Sequence, residues 1–256
     1  MPAAKTKRKP GGGIKKPGRI SKPRRQLGMG RFYTAGTFKS WSEGKIAKTA
    51  KVSTASVVSP QYRVKMANLI TGLVGPKATI CSVGPGSGHV EKLLVGKGHK
   101  VVGIERFFPP LPELKRQGIM AAQGGGERLP LGSKSVDMVY MDGVLGHMVP
   151  FKMKGGYEQY YRFMVDGGKK TGSPLVEARR VLKDKGFIVI AADAPRNKRR
   201  RVESHNKVEY TRLDTALIGK ALKEIGFVDI KVKGIRFYRP EIGRYTSRRV
   251  VIGRRA

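Results

Sequence analysis

The chain contains one cysteine, few acidic residues and no long apolar run, and each shortage excludes a class of protein. A single cysteine among 256 residues rules out an internal disulfide framework and favours a reducing compartment. That residue, Cys81, lies in a short apolar run and is predicted to be a small core residue. No run of about 18 apolar residues occurs, so we predict no membrane-spanning helix. An apolar fraction of 39% is enough for the core of one domain.

The shortage of acidic residues leaves a large positive charge. Only 18 Asp and Glu oppose 53 Lys and Arg, which gives a formal net charge of +35 at pH 7. This excess is far more than solubility requires, and it predicts a polyanionic partner bound through phosphate neutralisation and counterion release. We expect that partner to be nucleic acid, in particular RNA, with an anionic membrane surface as the alternative. The sequence does not indicate an oligomeric state.

Basic residues are concentrated near the amino terminus. Residues 1–51 contain fifteen Lys and Arg and one acid, Glu43, while glycines and prolines interrupt any helical period. Such a segment buries too little apolar surface to order itself, so residues 1–50 are predicted to be a basic arm, disordered over about the first 30 residues. Between Arg31 and Trp41 aromatic rings alternate with cations, which suits base stacking and phosphate contact. The alternative is that these rings pack back onto the domain.

The arm does not have the features of a secretory signal, because it lacks an apolar segment. Mitochondrial presequences are also basic and poor in acids, but they form amphipathic helices. The triple glycine at residues 11–13 and the nearby prolines argue against such a helix. We therefore predict a cytoplasmic protein associated with nucleic acid or ribosomes, with the mitochondrial matrix as the alternative.

The most informative pattern is a glycine-rich turn between two apolar runs. Residues 79–83 form a run typical of a buried parallel strand, and a second run, residues 101–104, ends in Glu105. Glycines in such a turn let the backbone approach a ligand without a Cβ clash. A carboxylate at the end of the second strand can accept hydrogen bonds from both hydroxyls of a ribose. The pattern predicts a nucleoside-binding βαβ unit whose turn contains Gly84, Pro85, Gly86 and Gly88.

The glycine spacing separates two kinds of nucleoside site. Dinucleotide-binding proteins use G-x-G-x-x-G, and here His89 occupies the place of the third glycine. The observed G-x-G-x-G resembles motif I of the class I S-adenosylmethionine-dependent methyltransferases. Further segments resemble that family's adenine-side loop, its fourth strand, the L-x-H after that strand, and its last helix with the fifth strand: residues 126–131, 135–142, 145–147 and 175–190. The resemblance extends over about residues 60–256 and is greatest for the broad ubiquinone-type, type 11 branch.

The resemblance implies a fold and a cofactor. The fold is an α/β three-layer sandwich in residues 51–256, with a seven-stranded, mostly parallel Rossmann-like sheet and an antiparallel last strand. The cofactor is S-adenosylmethionine, and no metal is expected. The resemblance implies that the cofactor-binding residues are Gly84, Pro85, Gly86, Gly88, Glu105, Gly126, Glu127 and Asp142.

Other elements follow from local signals. Ser59 and Pro60 predict the start of a helix, and Gly75 with Pro76 its end. Residues 225–232 and 248–252 are predicted to be a closing antiparallel pair of strands. An insertion at about residues 148–174 is rich in aromatic and basic side chains. It is interpreted either as a substrate lid or RNA-contact surface, or as a short packed helix.

Two departures from the family pattern affect the cofactor site. Motif I usually carries an acid two residues before its first glycine, where this chain has Ser82, and the adenine loop usually begins with an aspartate, where it has Gly125. Loss of a hydrogen bond to a charged group costs up to about 3 kcal/mol. A catalytically degenerate protein with an RNA-binding or ribosome-assembly role is therefore one alternative to an enzyme.

The expected chemistry needs alignment of an acceptor with an activated methyl group, and a general base only for a poor nucleophile. Candidate bases are Asp142 and His147, for which the alternatives are a helix N-cap and a packing histidine. Nucleic-acid contacts are expected from Arg24, Arg25, Arg31, Lys198, Arg199, Arg200 and Arg201. We expect methyl transfer to RNA or an RNA-associated substrate. A small-molecule methyltransferase, whose arm serves only localisation, is the other alternative.

Overall fold

The computed structural model describes residues 33–45, 55–148, 156–167, 172–192, 202–205, 208–211 and 215–256. The predicted disordered segment, about residues 1–30, lies outside these described residues. So do all seven predicted nucleic-acid residues, namely Arg24, Arg25, Arg31, Lys198, Arg199, Arg200 and Arg201.

A seven-stranded sheet forms the middle layer of the domain. Its strands are β1 (Thr79–Val83), β2 (Lys100–Glu105), β3 (Met120–Gln123), β4 (Val136–Asp142), β5 (Leu182–Ala192), β8 (Phe227–Arg239) and β9 (Arg244–Arg255). They are arranged β3-β2-β1-β4-β5-β9-β8, and only β9 runs antiparallel to its neighbours. A separate hairpin pairs β6 (Val202–His205) with β7 (Val208–Thr211). The predicted Rossmann-like sheet is confirmed.

Helices cover both faces of this sheet. The helices are α1 (Ala35–Ser42), α2 (Ala55–Val58), α3 (Pro60–Val74), α4 (His89–Gly96), α5 (Leu111–Arg116), α6 (Leu145–Met148), α7 (Gly156–Asp166), α8 (Pro174–Val181) and α9 (Thr215–Glu224). One core packs α3, α4 and α5 against the sheet, and the other packs α6, α7, α8 and α9 against the opposite face. The three-layer architecture is therefore present. Within the described segments, no helix is long and apolar enough to cross a membrane.

The continuous apolar run of β1 is explained by these two cores. Ile80 belongs to one core and Cys81 to the other, since successive side chains of a strand point to opposite faces. Burial raises the pKa of the Cys81 thiol to about 12, which keeps it protonated and unreactive. Cys81 is therefore a core residue, as predicted.

The predicted start and end of the first long helix are also confirmed. The Ser59 side chain accepts a hydrogen bond from the backbone N–H of Tyr62, and Pro60 is the first residue of α3. Gly75 follows the helix with a φ of 72°, which favours glycine.

Two features of the carboxyl-terminal half differ from expectation. The closing strands are longer than the predicted segments, because β8 continues to Arg239 and β9 begins at Arg244. The added residues alternate between a few buried apolar side chains, such as Ile235 and Phe237, and exposed polar or charged ones, so they lack the continuous apolar run of the central strands. The hairpin of β6 and β7 was not predicted, for the same reason. In the insertion, α7 buries Tyr160, Tyr161 and Phe163, as expected for a packed helix.

Candidate active site

The glycine turn joins β1 to α4 in a left-handed conformation. Gly84, Gly86 and Gly88 have φ values of 68°, 58° and 70°. A Cβ on Gly84 would lie 2.5 Å from Val144 Cγ2, so this glycine permits close packing. A Cβ on Gly86 would meet nothing nearer than Trp41, at 3.9 Å. A Cβ would therefore fit at Gly86 in ordinary contact with the Trp41 ring, so the backbone is less crowded there than at Gly84 and a ligand can approach it.

Glu105, the last residue of β2, faces this turn. One carboxylate oxygen accepts a hydrogen bond from the N–H of Gly86 at 3.1 Å, and the other accepts one from the N–H of Phe107 at 3.0 Å. The residue is only 4% exposed, and burial raises the pKa of its carboxyl group, while these hydrogen bonds oppose that shift. The side chain is thus held in one orientation at the edge of the turn.

A cavity lies beyond the carboxyl ends of β1, β2 and β4, which is where ligands bind in open α/β sheets. The predicted site residues that line it are Gly84, Gly86, Glu105, Gly126, Asp142 and His147. The same cavity is also lined by Arg106 and by the neighbouring glycines Gly124 and Gly125.

Three predicted cofactor residues lie elsewhere. Pro85 lines an adjacent second cavity, and Gly88 is the N-cap of α4. Glu127 is not among the described residues that line the first cavity, and both its carboxylate oxygens accept hydrogen bonds from Arg106, at 2.6 and 2.8 Å. The carboxylate therefore orients a cavity-lining arginine.

Helix α1 forms the outer wall of the cavity. Phe38 and Trp41 are buried, and Tyr33 stacks on Phe107 with ring centroids 4.9 Å apart and planes inclined by 16°. The carbonyl oxygen of Trp41 lies 2.6 Å from Nε2 of His89, at the start of α4. Two alternatives were considered for this aromatic segment, namely contact with nucleic acid and packing onto the domain. In the structure, Tyr33, Phe38 and Trp41 pack onto the domain.

Asp142 ends β4 and lines both cavities. Arg248 forms an ion pair with it at 2.9 Å, and the Tyr140 hydroxyl donates a hydrogen bond to it at 3.0 Å. Both members of the ion pair are buried. An anion stabilised in this way is a weak proton acceptor, which weakens the hypothesis that Asp142 is a general base.

His147 lies in α6 and faces the aromatic wall. Its ring meets that of Tyr33 edge-on, with centroids 6.1 Å apart. The side chain therefore both lines the cavity and packs against an aromatic neighbour, so the two interpretations of this histidine are compatible.

Sequence reasoning missed Glu91. The Ser82 hydroxyl donates a hydrogen bond to Glu91 Oε1 at 2.6 Å, so an acid reaches the position where motif I usually carries one. Burial raises the pKa of Glu91 to about 7, although the Ser82 hydrogen bond opposes that shift. The available signal was an acid in the first turn of the helix after the glycines. Spacing alone does not show that it reaches back to β1.

Residues 81–190 match the type 11 methyltransferase domain family. A curated relative, a tabtoxin biosynthesis enzyme from Pseudomonas amygdali pv. tabaci, is 24% identical over 194 residues, which are 74% of this chain and 69% of the relative. A similar solved structure is the 1,6-didemethyltoxoflavin N1-methyltransferase of Burkholderia thailandensis, with S-adenosylhomocysteine bound. It has a TM-score of 0.57 and 17% identity, covering 85% of this chain and 84% of its own.

Another similar structure is an S-adenosylmethionine-dependent methyltransferase from Methanosarcina mazei, with a TM-score of 0.56 and 13% identity, covering 73% of this chain and 96% of its own. The fold, the glycine turn and the family match define a class I S-adenosylmethionine-dependent methyltransferase. Within that class, residues 81–190 are similar to the type 11 branch. Its cofactor is S-adenosylmethionine.

Proposed function

We propose that this enzyme transfers the methyl group of S-adenosylmethionine to an acceptor carried by RNA. The observation that carries the proposal is an exposed surface on the β8–β9 hairpin, which we call the hairpin face. It consists of Arg236, Tyr238, Tyr245, Ser247 and Arg249, all exposed. It contains two aromatic rings, two arginines and no acid.

The pairing of β8 with β9 explains why these side chains share one face. Tyr238 is paired with Tyr245, and Arg236 with Ser247, and alternate residues along a strand point to the same side. The intervening Ile235 and Phe237 are buried on the other side. The hairpin face is therefore a regular, two-stranded surface.

The rings of this face are available for stacking. Tyr238 is 39% exposed and Tyr245 is 54% exposed, with ring centroids 5.4 Å apart at 62°. The guanidinium of Arg236 lies 4.9 Å from the centre of the Tyr245 ring. Exposed aromatic rings beside arginines suit unpaired bases and their phosphates, and stacking contributes about 1–3 kcal/mol per base.

The position of the hairpin face connects it to the cofactor cavity. Arg249 pairs with Ala192, the last residue of β5, so the hairpin continues beyond the edge of the sheet where the cavity opens. Asp142 pairs with Ala191, which places its backbone two strands, or roughly 10 Å, from β9. An RNA bound there can present a base to the cavity, and the net charge of +35 favours its binding.

The residues of the first cavity fit the cofactor. Glu105 would accept hydrogen bonds from the ribose hydroxyls, and the uncrowded turn at Gly86 would admit the ligand to the backbone. When bound, S-adenosylmethionine supplies an already activated methyl group. The chain then has to hold an acceptor atom in line and exclude water, and such positioning is worth about 7–11 kcal/mol. The aromatic wall formed by Phe38 and Trp41 excludes that water.

The binding test uses fluorescence anisotropy with a labelled single-stranded RNA. Tyr245→Ala is expected to weaken binding by about 5- to 150-fold, the equivalent of one lost stacking contact, and Tyr245→Phe to retain it. Arg236→Gln should also weaken binding, whereas Arg116→Gln, which removes the same charge from an exposed side chain at the end of α5, should have a smaller effect. Equal affinity of the wild type and Tyr245→Ala for the RNA would contradict the proposal that the hairpin face binds RNA.

The activity test follows the label from tritiated-methyl S-adenosylmethionine into RNA, protein and small-molecule fractions of a cell extract. The proposal expects label in RNA that becomes acid-soluble after ribonuclease treatment. It further expects Tyr245→Ala to lower that incorporation with little effect on cofactor affinity. Label confined to the small-molecule fraction would contradict an RNA acceptor.

A second candidate function is methylation of a small, flat molecule. It is favoured by the rings of Phe38 and Trp41 in α1 and of Tyr33 just before that helix, which cover the cavity. Relatives named for toxoflavin methylation and tabtoxin biosynthesis also favour it. Under this alternative, truncation of residues 1–32 leaves turnover unchanged and the RNA fraction unlabelled. We further propose a cytoplasmic location in association with nucleic acid.

A further inference from the structure

A second cavity adjoins the first on the other side of the glycine turn. The two share Gly84, Gly86, Trp41 and Asp142 as lining residues, so they meet along the turn. Glu105 lines only the first cavity. The residues that line only the second include Ser56, Ser82, Pro85 and Glu91.

Glu91 is a buried carboxylate for which the described residues supply no cationic partner within ion-pair distance. It is 4% exposed, with its Oε1 fixed by the hydroxyl of Ser82. The nearby Asp142, by contrast, has its charge balanced by Arg248. A buried, unbalanced carboxylate is costly, and an arriving cation offsets that cost. The second cavity is therefore suited to a positively charged group beside Glu91.

Trp41 provides a buried hydrogen-bond donor near the same cavity, in contrast to the acceptor that Glu91 provides. Its indole Nε1 is buried, and no acceptor in the described part of the chain forms a hydrogen bond with it. The residue is 6% exposed and lines the second cavity. An indole N–H is a donor only, so the partner that it lacks is an oxygen or another acceptor. Glu91 and Trp41 together suit a ligand that carries both an ammonium and a carboxylate group.

We propose that the second cavity binds the amino-acid end of the cofactor, with Glu91 paired to its ammonium group and Trp41 donating to its carboxylate. Glu105 would then hold the nucleoside end in the first cavity, which meets the second at Gly84 and Gly86. Glu91 thus replaces, from helix α4, the acid that motif I lacks at Ser82. The proposal rests on the cofactor assignment and is independent of the RNA acceptor.

A purely structural role for Glu91 is the competing explanation. The carboxylate lies in the first turn of α4, and backbone N–H groups of Val90 and of Glu91 itself lower its pKa. Such a cap stabilises the helix but does not distinguish one ligand from another. The two explanations therefore differ in ligand selectivity.

The test compares two ligands by isothermal titration calorimetry at about pH 8, above the pKa of Glu91. S-adenosylhomocysteine contains the amino-acid end, and 5′-methylthioadenosine lacks it. Glu91→Gln, which keeps the shape and a hydrogen bond with Ser82, is expected to weaken S-adenosylhomocysteine binding by about tenfold or more. Its affinity for 5′-methylthioadenosine should stay within about twofold of that of the wild type.

Two further variants complete the test. Trp41→Phe keeps the ring but removes the N–H, and it should lower affinity for S-adenosylhomocysteine several-fold more than for 5′-methylthioadenosine. Glu113→Gln, in the first turn of α5, removes the same charge outside both cavities and should leave both affinities unchanged. An equal loss for both ligands in Glu91→Gln, or no loss for either, would overturn the proposal. Failure of the wild type to bind either ligand would instead contradict the cofactor assignment.

Discussion

The glycines of the turn share a left-handed conformation but have different surroundings. A Cβ on Gly88 would lie 2.5 Å from Leu114 Cδ2 and 3.0 Å from Ile119 Cδ1, both in the core. At Gly86 the nearest atoms belong to Trp41, 3.9 Å away. Gly88 is therefore required for packing, whereas Gly86 leaves the space that a ligand occupies.

We expect Gly88→Ala to lower the free energy of unfolding by about 2–5 kcal/mol, from a left-handed backbone cost of 1–2 and an overpacking cost of 1–3. Gly86→Ala should cost only about 1–2 kcal/mol but weaken S-adenosylhomocysteine binding, because its methyl group enters the space between the two cavities. Urea unfolding measures the change in stability, and calorimetry measures the change in affinity for S-adenosylhomocysteine. Gly72→Ala, in the last turn of α3 where a Cβ meets no atom within 4 Å, should be mildly stabilising. The interpretation is wrong if Gly86→Ala is the more destabilising of the two turn variants.

Glu91 makes stability depend on pH. Its pKa in the folded protein is about 7, above the ordinary 4.5, because burial disfavours the charged form. Its contribution to stability is therefore fully present below about pH 4.5 and is lost as the pH rises through 7. Glu91→Gln removes that loss and should be more stable than the wild type at about pH 8, by up to about 3 kcal/mol.

The difference between these two proteins should shrink towards zero near pH 4.5, which urea unfolding at a series of pH values measures. A difference that does not change with pH would contradict the raised pKa. A more stable variant that binds cofactor less well would also show that Glu91 is retained for binding.

Some residues of the site could be predicted from sequence and others could not. The glycines and Glu105 could be predicted because they lie at the ends of two neighbouring strands, whose apolar runs are recognisable in the sequence. Glu91 and Arg248 were missed because their partners, Ser82 and Asp142, come from other elements, and the distance from Arg248 to Asp142 along the chain exceeds 100 residues. Contacts between elements depend on the fold, which spacing does not encode.

Helix α1 covers the site but is attached to the domain differently from the other helices. Its rings form a small apolar cluster with α2, separate from the two cores under and over the sheet. An element held by a separate cluster can open without unfolding the domain. The helix is therefore expected to control access to both cavities.

Phe38→Ala removes the centre of that cluster, and such truncations cost about 3–5 kcal/mol. Hydrogen exchange of the amides in α1 should accelerate by about 100-fold or more, while exchange in β4 stays unchanged. Bound S-adenosylhomocysteine should slow α1 exchange in the wild type. Equal acceleration in α1 and β4 would mean that α1 opens only when the whole domain unfolds.

At the scale of elements, the sequence predicted the parallel half of the sheet better than the rest. The buried strands β1, β2 and β4 are short apolar runs bounded by turns, which is a strong signal. Helix α1 was placed within a basic arm, since cations and glycines around it hide the apolar side that Phe38 and Trp41 form. The extended tip of β8 and β9 is exposed on one face and buries only a few apolar side chains, such as Ile235 and Phe237, on the other, so its sequence has a weak apolar signal.

At the scale of the whole molecule, the charge of +35 acts on stability as well as on binding. Like charges repel one another in the compact state, and salt screens that repulsion over about 10 Å at 0.1 M. The melting temperature should therefore rise between low and moderate salt, whereas RNA affinity should fall steeply over the same range. Calorimetric melting and anisotropy measure these opposite trends. A melting temperature that falls with added sodium chloride would contradict the repulsion.

The most direct measurement is calorimetric titration of the full chain with S-adenosylmethionine, in parallel with Glu105→Gln. We expect one-to-one binding by the wild type and affinity reduced by about tenfold or more in the variant, because the acceptor for the ribose hydroxyls is impaired. Absence of binding at millimolar ligand, or equal affinity of the two proteins, would contradict a cofactor held between the glycine turn and the carboxylate at the end of β2.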